Sequence, residues 1–244
     1  MFENEVAFSI ARHAAWAPGV TTREGWAAWA EEPWALAPGD EPKLAAMPAM
    51  LRRRAGLPGR MALEVAYEVA GQDLDIPTVF CSRHGEVARS VDLLRALARK
   101  EPLSPTAFGL AVHNASAGLF SIARADRANH VALAAGSATL EHAVIEACGQ
   151  LADGAPMVLL VACDMPLPDP LAPFEDCHEQ PFAFAWAMVP AGASALRLSW
   201  CAHAGQSSQR MPGGLEVLRF QLGGGAPLVR EAQGRRWTWR RDAA

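Results

Sequence analysis

The residue types best suited to chemistry here are one serine in a tight turn, seven histidines and five cysteines. Ser137 stands in Ala134-Ala135-Gly136-Ser137-Ala138, just before a helix-forming stretch. A serine hydroxyl is a weak nucleophile unless a neighbouring base takes its proton. After Ser137 the available histidines are His142, His178 and His203. His142 falls on the helix that follows, where a surface position is its simpler meaning. The hydrolase elbow Gly-x-Ser-x-Gly is matched neither around Gly136-Ser137 nor around Gly205-Gln206-Ser207. His84-Gly85-Glu86 offers an acid and a base close in sequence, but at the end of a strand the run reads as a structural turn. The five cysteines include no Cys-x-x-Cys pair and are odd in number, which excludes a disulfide framework and a zinc site. Cys148 and Cys163 sit in apolar stretches and read as buried thiols. His13, His113 and His130 lack metal-ligand spacing. No metal and no cofactor is expected.

Charge narrows the partners. The net charge of −4 argues against a general nucleic-acid binder. It is unevenly spread, with +4 from Arg210 onward and −8 before it. Two basic clusters stand out, Arg52-Arg53-Arg54 and Arg235-Arg236 with Arg240-Arg241. Either could receive an acidic partner, and either could be plain solvated surface. The start, Met1-Phe2-Glu3-Asn4-Glu5, is acidic where a signal peptide is basic. The longest apolar run, Met157 to Ala162, is too short to span a bilayer. A soluble cytoplasmic protein is expected.

The elements that must position these residues follow from periodicity. Phe2 to Ala11 alternates as an opening strand. Thr22 is a helix N-cap, Arg23 to Glu32 the helix and Pro33 its stop. Trp26 and Trp29 share a face of it, as core or interface residues. Ala35 to Pro48 is loop. Arg60 to Ala70 is a helix with Met61, Val65 and Val69 on one side. Asp75 to Cys81 is a strand, Val87 to Arg99 an amphipathic helix. Thr106 to Ala123 is one small-residue helix, built for close approach. Asn129 to Ala134 is a strand, Ala138 to Leu151 a helix, and Met157 to Ala162 a strand covered on both faces. This alternation predicts an α/β fold with a mostly parallel sheet. Phe182 to Val189, Ala195 to Cys201 and Leu215 to Leu222 read as further strands, antiparallel, with Trp237-Thr238-Trp239 as a last short one.

Three stretches carry a family resemblance. Ser82-Arg83-His84-Gly85-Glu86 closes a strand before a helix. Ser104-Pro105 opens a small-residue helix with Asn114 followed by Ala117-Gly118. Then strand, sharp turn, helix and buried strand run from His130 to Val161. Together they resemble the N-terminal half of the β-ketoacyl synthases, and from Asn114 through Ser137 to Gly154 the pattern lies on without a gap. Ala15-Trp16-Ala17-Pro18-Gly19, Trp26-Ala27-Ala28-Trp29-Ala30, Leu51-Arg52-Arg53-Arg54, Arg60-Met61-Ala62-Leu63 and Trp237-Thr238-Trp239-Arg240 resemble a shorter subfamily. Its members occur beside true ketosynthases in bacterial aryl-polyene and related type II polyketide gene sets.

The resemblance implies a thiolase-like fold, N-terminal half only, with a short antiparallel β extension. The expected organisation is a single unit over 1–244, with its core about 60–201 and the extension about 202–244. In the family a cysteine at the turn takes the acyl chain as a thioester, and two histidines of a C-terminal half assist it. The resemblance places Ser137 at that cysteine's position, and the three later histidines stand outside the family's motifs. No catalytic residue is therefore expected. The implied role is a chain-length-factor-like partner that forms a heterodimer with a β-ketoacyl synthase in fatty-acid or polyene elongation. Phe108, Ala111, Asn114, Ala115, Gly118, Val131 and Leu133 are the implied interface and tunnel residues. Arg52, Arg53, Arg54, Arg235 and Arg236 are the candidate contacts for acyl carrier protein. Two other readings stay open: a condensing or acyl-transfer enzyme using Ser137, and a homodimeric acyl-binding protein.

Overall fold

The computed structural model describes residues 4–205 and 210–242. Phe2 of the expected opening strand and Ser207 of the second serine motif lie outside the described residues. In chain order the elements begin with β1 (Asn4–Trp16), α1 (Arg23–Glu31), α2 (Ala49–Arg52), α3 (Leu57–Ala70), β2 (Thr78–Cys81) and α4 (Val87–Ala98). They continue with α5 (Pro105–Gly109), α6 (Ala115–Arg124), β3 (His130–Leu133), α7 (Thr139–Ala152), β4 (Val158–Asp164) and β5 (Phe182–Pro190). Last come β6 (Leu196–Ala202), α8 (Gly213–Gly223), β7 (Leu228–Ala232) and β8 (Arg235–Arg241).

All strands join one eight-stranded sheet in the order β3-β2-β4-β5-β1-β6-β8-β7. The expectation of a mostly parallel sheet is corrected: β2 runs parallel to β3 and β4, and every other pairing is antiparallel. Only β2, β3 and β4 are parallel as direct neighbours, joined by the helical crossovers α4–α6 and α7 that such neighbours need. A register shift between Ile10 and Arg12 bends β1, which pairs with β5 along Phe8 to Trp16 and with β6 along Asn4 to Phe8.

Helices cover both faces. On β4, Val158, Leu160 and Ala162 enter one core, while Leu159, Val161 and Cys163 enter the other. This explains its unbroken apolar run, since alternation appears only when one face is wet. Burying a side chain such as Leu160 contributes about 2 kcal/mol. On β5 large and small residues alternate. Phe182, Phe184, Trp186 and Met188 fill the face toward α7, and Ala183, Ala185 and Ala187 form a shallow face on which α3 lies. Thr22 caps α1 by accepting from the Gly25 N–H at 3.1 Å. Trp26 and Trp29 meet edge to face at 5.3 Å between ring centroids, both buried.

Two further expectations are corrected. Leu215 to Leu222 is not a strand but belongs to α8. Its apolar residues fit either period, and Leu215, Leu218 and Leu222 at helical spacing decide the case between Pro212 before and Gly224 after. Gly224 closes α8 at φ +60, a left-handed cap that a glycine adopts without strain. The stretch Thr106 to Ala123 is not one helix. It breaks after Gly109 and restarts at Ala115. Glycine and asparagine both weaken a helix interior, and they flank the break.

Candidate functional site

β3 leads directly into the turn that holds Ser137, a single 3₁₀ turn over Gly136–Ala138. Gly136 takes φ +56, which glycine adopts readily. Thr139 fixes the turn: its Oγ1 accepts from the Ala135 N–H at 2.9 Å and donates to the Gly136 carbonyl at 2.7 Å. Ser137 is partly buried, immediately before α7. A small cleft beside it is lined by Arg83, Asp164, Phe182, Gly213 and Gly214 among others, with about 20 Å³ of free space, room for one water.

A base is not brought to the serine. The His142 ring bonds the Ala138 carbonyl at 2.9 Å and packs edge-on to Trp237. His203 pairs with Glu231 at 2.9 Å. His178 is held through its backbone N–H, which donates to the Arg210 carbonyl. Among the described residues no histidine ring hydrogen-bonds the Ser137 hydroxyl.

Behind the turn lies a buried cation that sequence reasoning missed. Arg230, 3% exposed, reaches from β7. Its Nη2 donates to the Ser137 carbonyl at 3.1 Å, its Nη1 to Glu141, and its Nε to Glu216 at 2.6 Å. Glu141 is wholly buried and also accepts from Trp239 Nε1 at 3.4 Å. Both glutamates stand in the first turns of their helices, α7 and α8. Gly213 is needed there, because a Cβ would collide with the guanidinium. The paired acids are what permit a buried arginine at two helix N-termini, where positive charge alone is unfavourable. The detectable signal was a lone Arg230 in an apolar run with glutamates at two helix starts, but nothing in the spacing pairs residues so far apart.

The Ser82 to Glu86 stretch folds as a structural turn. Ser82 Oγ accepts from the Gly85 N–H at 2.8 Å and donates to Asp164 at 2.9 Å. His84 pairs with Glu179 at 2.6 Å, whereas Glu86 is buried and pairs with Arg89 at 3.1 Å, so the two never work together. Burial raises the Asp164 carboxyl to about 6 against the pull of the Arg83 N–H and His84. Burial also raises the Glu86 carboxyl, opposed by Arg89. Asp176, Cys177 and Glu179 gather their ligand atoms within 4.8 Å of one another. The cation they hold is the Arg83 guanidinium, 2.7 Å from Asp176 and 3.3 Å from the Cys177 sulfur. Burial pushes the Cys148 thiol up to about 12 and the Cys81 and Cys163 thiols up as well, which leaves all three unreactive near neutrality.

Of the expected interface residues, Val131 and Leu133 lie on β3 at the free edge of the sheet, Ala115 and Gly118 on α6, and Phe108 on α5. β3 pairs only with β2, and its Val131 and Leu133 are partly buried. α6 packs beside β2 and β3. Ala111, Ala115 and Gly118 are partly buried and Asn114 is exposed. Phe108 is 66% exposed, with Val112 and Ile122 also open. A Cβ at Gly118 would meet nothing within 4 Å, so packing inside the chain does not require a glycine there. Of the basic residues, Arg236 pairs with Glu231, Arg240 with Glu5, and Arg241 donates to the Gln221 carbonyl. Arg235 is exposed. Arg52 donates to the Leu44 carbonyl at 3.3 Å. Arg53 and Arg54 are exposed, and among the described residues neither has a carboxylate partner. No helix of the described residues is long and apolar enough to cross a membrane.

Parallel β3-β2-β4, helices on both faces and a strand–turn–helix at Ser137 define the N-terminal half of a thiolase-like condensing fold, extended by antiparallel strands. The model for the β-ketoacyl synthase N-terminal domain matches residues 26–240, and the chain belongs to that family. No curated protein matches the chain. Among solved structures, one similar chain comes from the ketosynthase ApeO in complex with its chain length factor ApeC, from Xenorhabdus doucetiae. It shares 25% identity at a TM-score of 0.86, over 96% of this chain and 99% of that one. A chain from AntDE:AntF, a type II polyketide carrier protein in complex with its ketosynthase, superposes at TM-score 0.71 with 9% identity, over 98% and 99% of the two chains. A β-ketoacyl synthase from Burkholderia phymatum STM815 superposes at 0.59 with 11% identity, over 91% of this chain and 71% of that one. These last two share the fold.

Proposed function

We propose that this chain is a non-catalytic, chain-length-factor-like partner of a β-ketoacyl synthase in acyl or polyene chain elongation. The proposal rests on Ser137, which the resemblance sets at the family's nucleophile turn: buried Arg230 holds its backbone carbonyl, and among the described residues no base bonds its hydroxyl. A decarboxylating condensation needs a nucleophile that is readily deprotonated, and a serine without a base is not one. Similarity to a ketosynthase–chain length factor complex at near-complete coverage of both chains supports the pairing.

The partner contact uses the free edge of β3 and the small-residue face of α6. An unpaired strand edge beside an apolar face is a liability unless another chain covers it. Phe108 and its neighbours in the α5–α6 segment line the end of the partner's acyl tunnel, and the chain stabilises that partner. Arg53 and Arg54 receive an acidic carrier protein, since they lack the internal carboxylate partners of Arg236 and Arg240. Co-expression with the neighbour-encoded ketosynthase, followed by size-exclusion chromatography, tests the reading. A heterodimer that elutes as one peak is the expected result. A stable, well-folded monomer that ignores the ketosynthase overturns it.

A further inference from the structure

Helical periodicity runs through Thr106 to Ala123, yet the chain leaves the helix at Gly109 and re-enters it at Ala115. His113 sits in that break. Its Nε2 lies 2.8 Å from the Ser82 carbonyl, so Nε2 carries the proton and donates it. The other ring nitrogen faces Gly85, which takes φ +56 and has no room for a side chain: a Cβ there would lie 2.7 Å from His113 Nδ1. Ser82 is itself anchored. Its N–H donates to Leu133 on β3 at 3.2 Å, and its hydroxyl bonds Asp164 at the end of β4. The imidazole is thus clamped to the point where β2, β3 and β4 end together.

What it holds is a sparsely packed stretch of the surface. α5 has five residues and packs against α4, of which only Val91 is buried. Phe108 at its end and Val112 beside His113 stand open, at 66% and 43% exposure. Among the described residues, the His113 bond is the side-chain hydrogen bond that ties residues 110–114 to the sheet.

We infer that His113 is a positioning residue: by bonding the Ser82 carbonyl it sets where Phe108 and Val112 project, and so the length of acyl chain the paired enzyme accepts. This rests on the tunnel role proposed above. A wall residue displaced by part of its own length changes the room beside it, because packed interiors hold few spare voids.

The test uses the co-expressed heterodimer, malonyl-loaded carrier protein and mass spectrometry of the released products. His113→Ala should co-elute with the ketosynthase but shift or broaden the chain-length distribution. His113→Gln, whose amide N–H can reach the same carbonyl, should restore it. Phe108→Ala is run alongside. If Phe108→Ala shifts the distribution and a co-eluting His113→Ala does not, the positioning role is wrong while the tunnel role stands. If Phe108→Ala, Val112→Ala and His113→Ala all leave the products unchanged, the tunnel role fails and takes this inference with it. Loss of the heterodimer in His113→Ala and His113→Gln alike makes His113 a folding residue and also overturns the inference.

Discussion

Arg230 Nη2 donates to the backbone carbonyl of Ser137 at 3.1 Å, joining residues 93 positions apart. The same guanidinium meets a glutamate from the first turn of α7 and another from the first turn of α8. The turn that holds Ser137 is a joint between two helices and a hairpin. Its backbone is fixed by charge, and among the described residues no base bonds its hydroxyl.

That joint has a measurable worth. Removing one partner of a buried ion pair destabilises by about 3–5 kcal/mol, because the other charge is stranded. Arg230→Met should lower the unfolding free energy by about that amount, read from urea melts followed by tryptophan fluorescence at low concentration. Arg230→Met combined with Glu141→Gln should recover much of the loss, since the wholly buried carboxylate is then neutral and the charge left over, Glu216, is partly exposed. A single variant that unfolds like wild type would show that the pair contributes nothing.

Ser137 should be chemically inert. Intact mass after incubation with an acyl donor should be unchanged. Ser137→Ala should leave pathway output close to wild type. Ser137→Trp should lower it, because overpacking a tight site costs about 1–3 kcal/mol. An acyl adduct on Ser137, or loss of output in the alanine variant, would favour a catalytic serine.

Asp164 gives a pH signature. Its carboxyl titrates near about 6 in the folded chain and near about 4 in the unfolded one. Between those values the folded chain holds a proton that the unfolded chain has released. Stability at this site therefore falls as pH rises through that window and is level above it. The drop should be on the order of 3 kcal/mol, and Asp164→Asn should flatten it while still accepting from Ser82 and the Arg83 N–H. Parallel urea melts of the two proteins from pH 4 to pH 7 would decide; identical slopes would count against a protonated Asp164.

Gly118 separates folding from association. A Cβ there meets nothing within 4 Å, so Gly118→Leu should fold, helped slightly by better helix propensity. It should nevertheless fail to co-elute with the ketosynthase, as should Ala115→Asp, which would bury a carboxylate against the partner. Circular dichroism of the variant and sizing of the co-expressed pair provide the two readings. A Gly118→Leu heterodimer as tight as wild type would place the interface elsewhere.

Much of this was legible in local patterns. The uninterrupted run of β4, the Thr22 cap, the tryptophan pair of α1 and the turn at Ser137 all follow from spacing or side-chain chemistry. What was not legible depends on partners far away in sequence. Leu215 to Leu222 fits two periods, and its packing against α1 and β7 favours the helical one. The break before Ala115 is written in a hydrogen bond between His113 and Ser82, 31 residues earlier. Arg235, Arg236, Arg240 and Arg241 looked like one basic cluster, but a strand turns alternate residues outward and three of them find partners within the chain.

The position of β1 has a consequence for synthesis. It lies between β5 and β6, so it finds its neighbours only when residues 182–202 have been made. Until then both its edges are open, and the loop to be closed spans most of the chain. Pairings of such long reach form slowly and expose strand edges to other chains meanwhile. Asn4–Trp16 therefore stays unpaired until those later residues emerge, which makes this strand a segment for a chaperone to shelter.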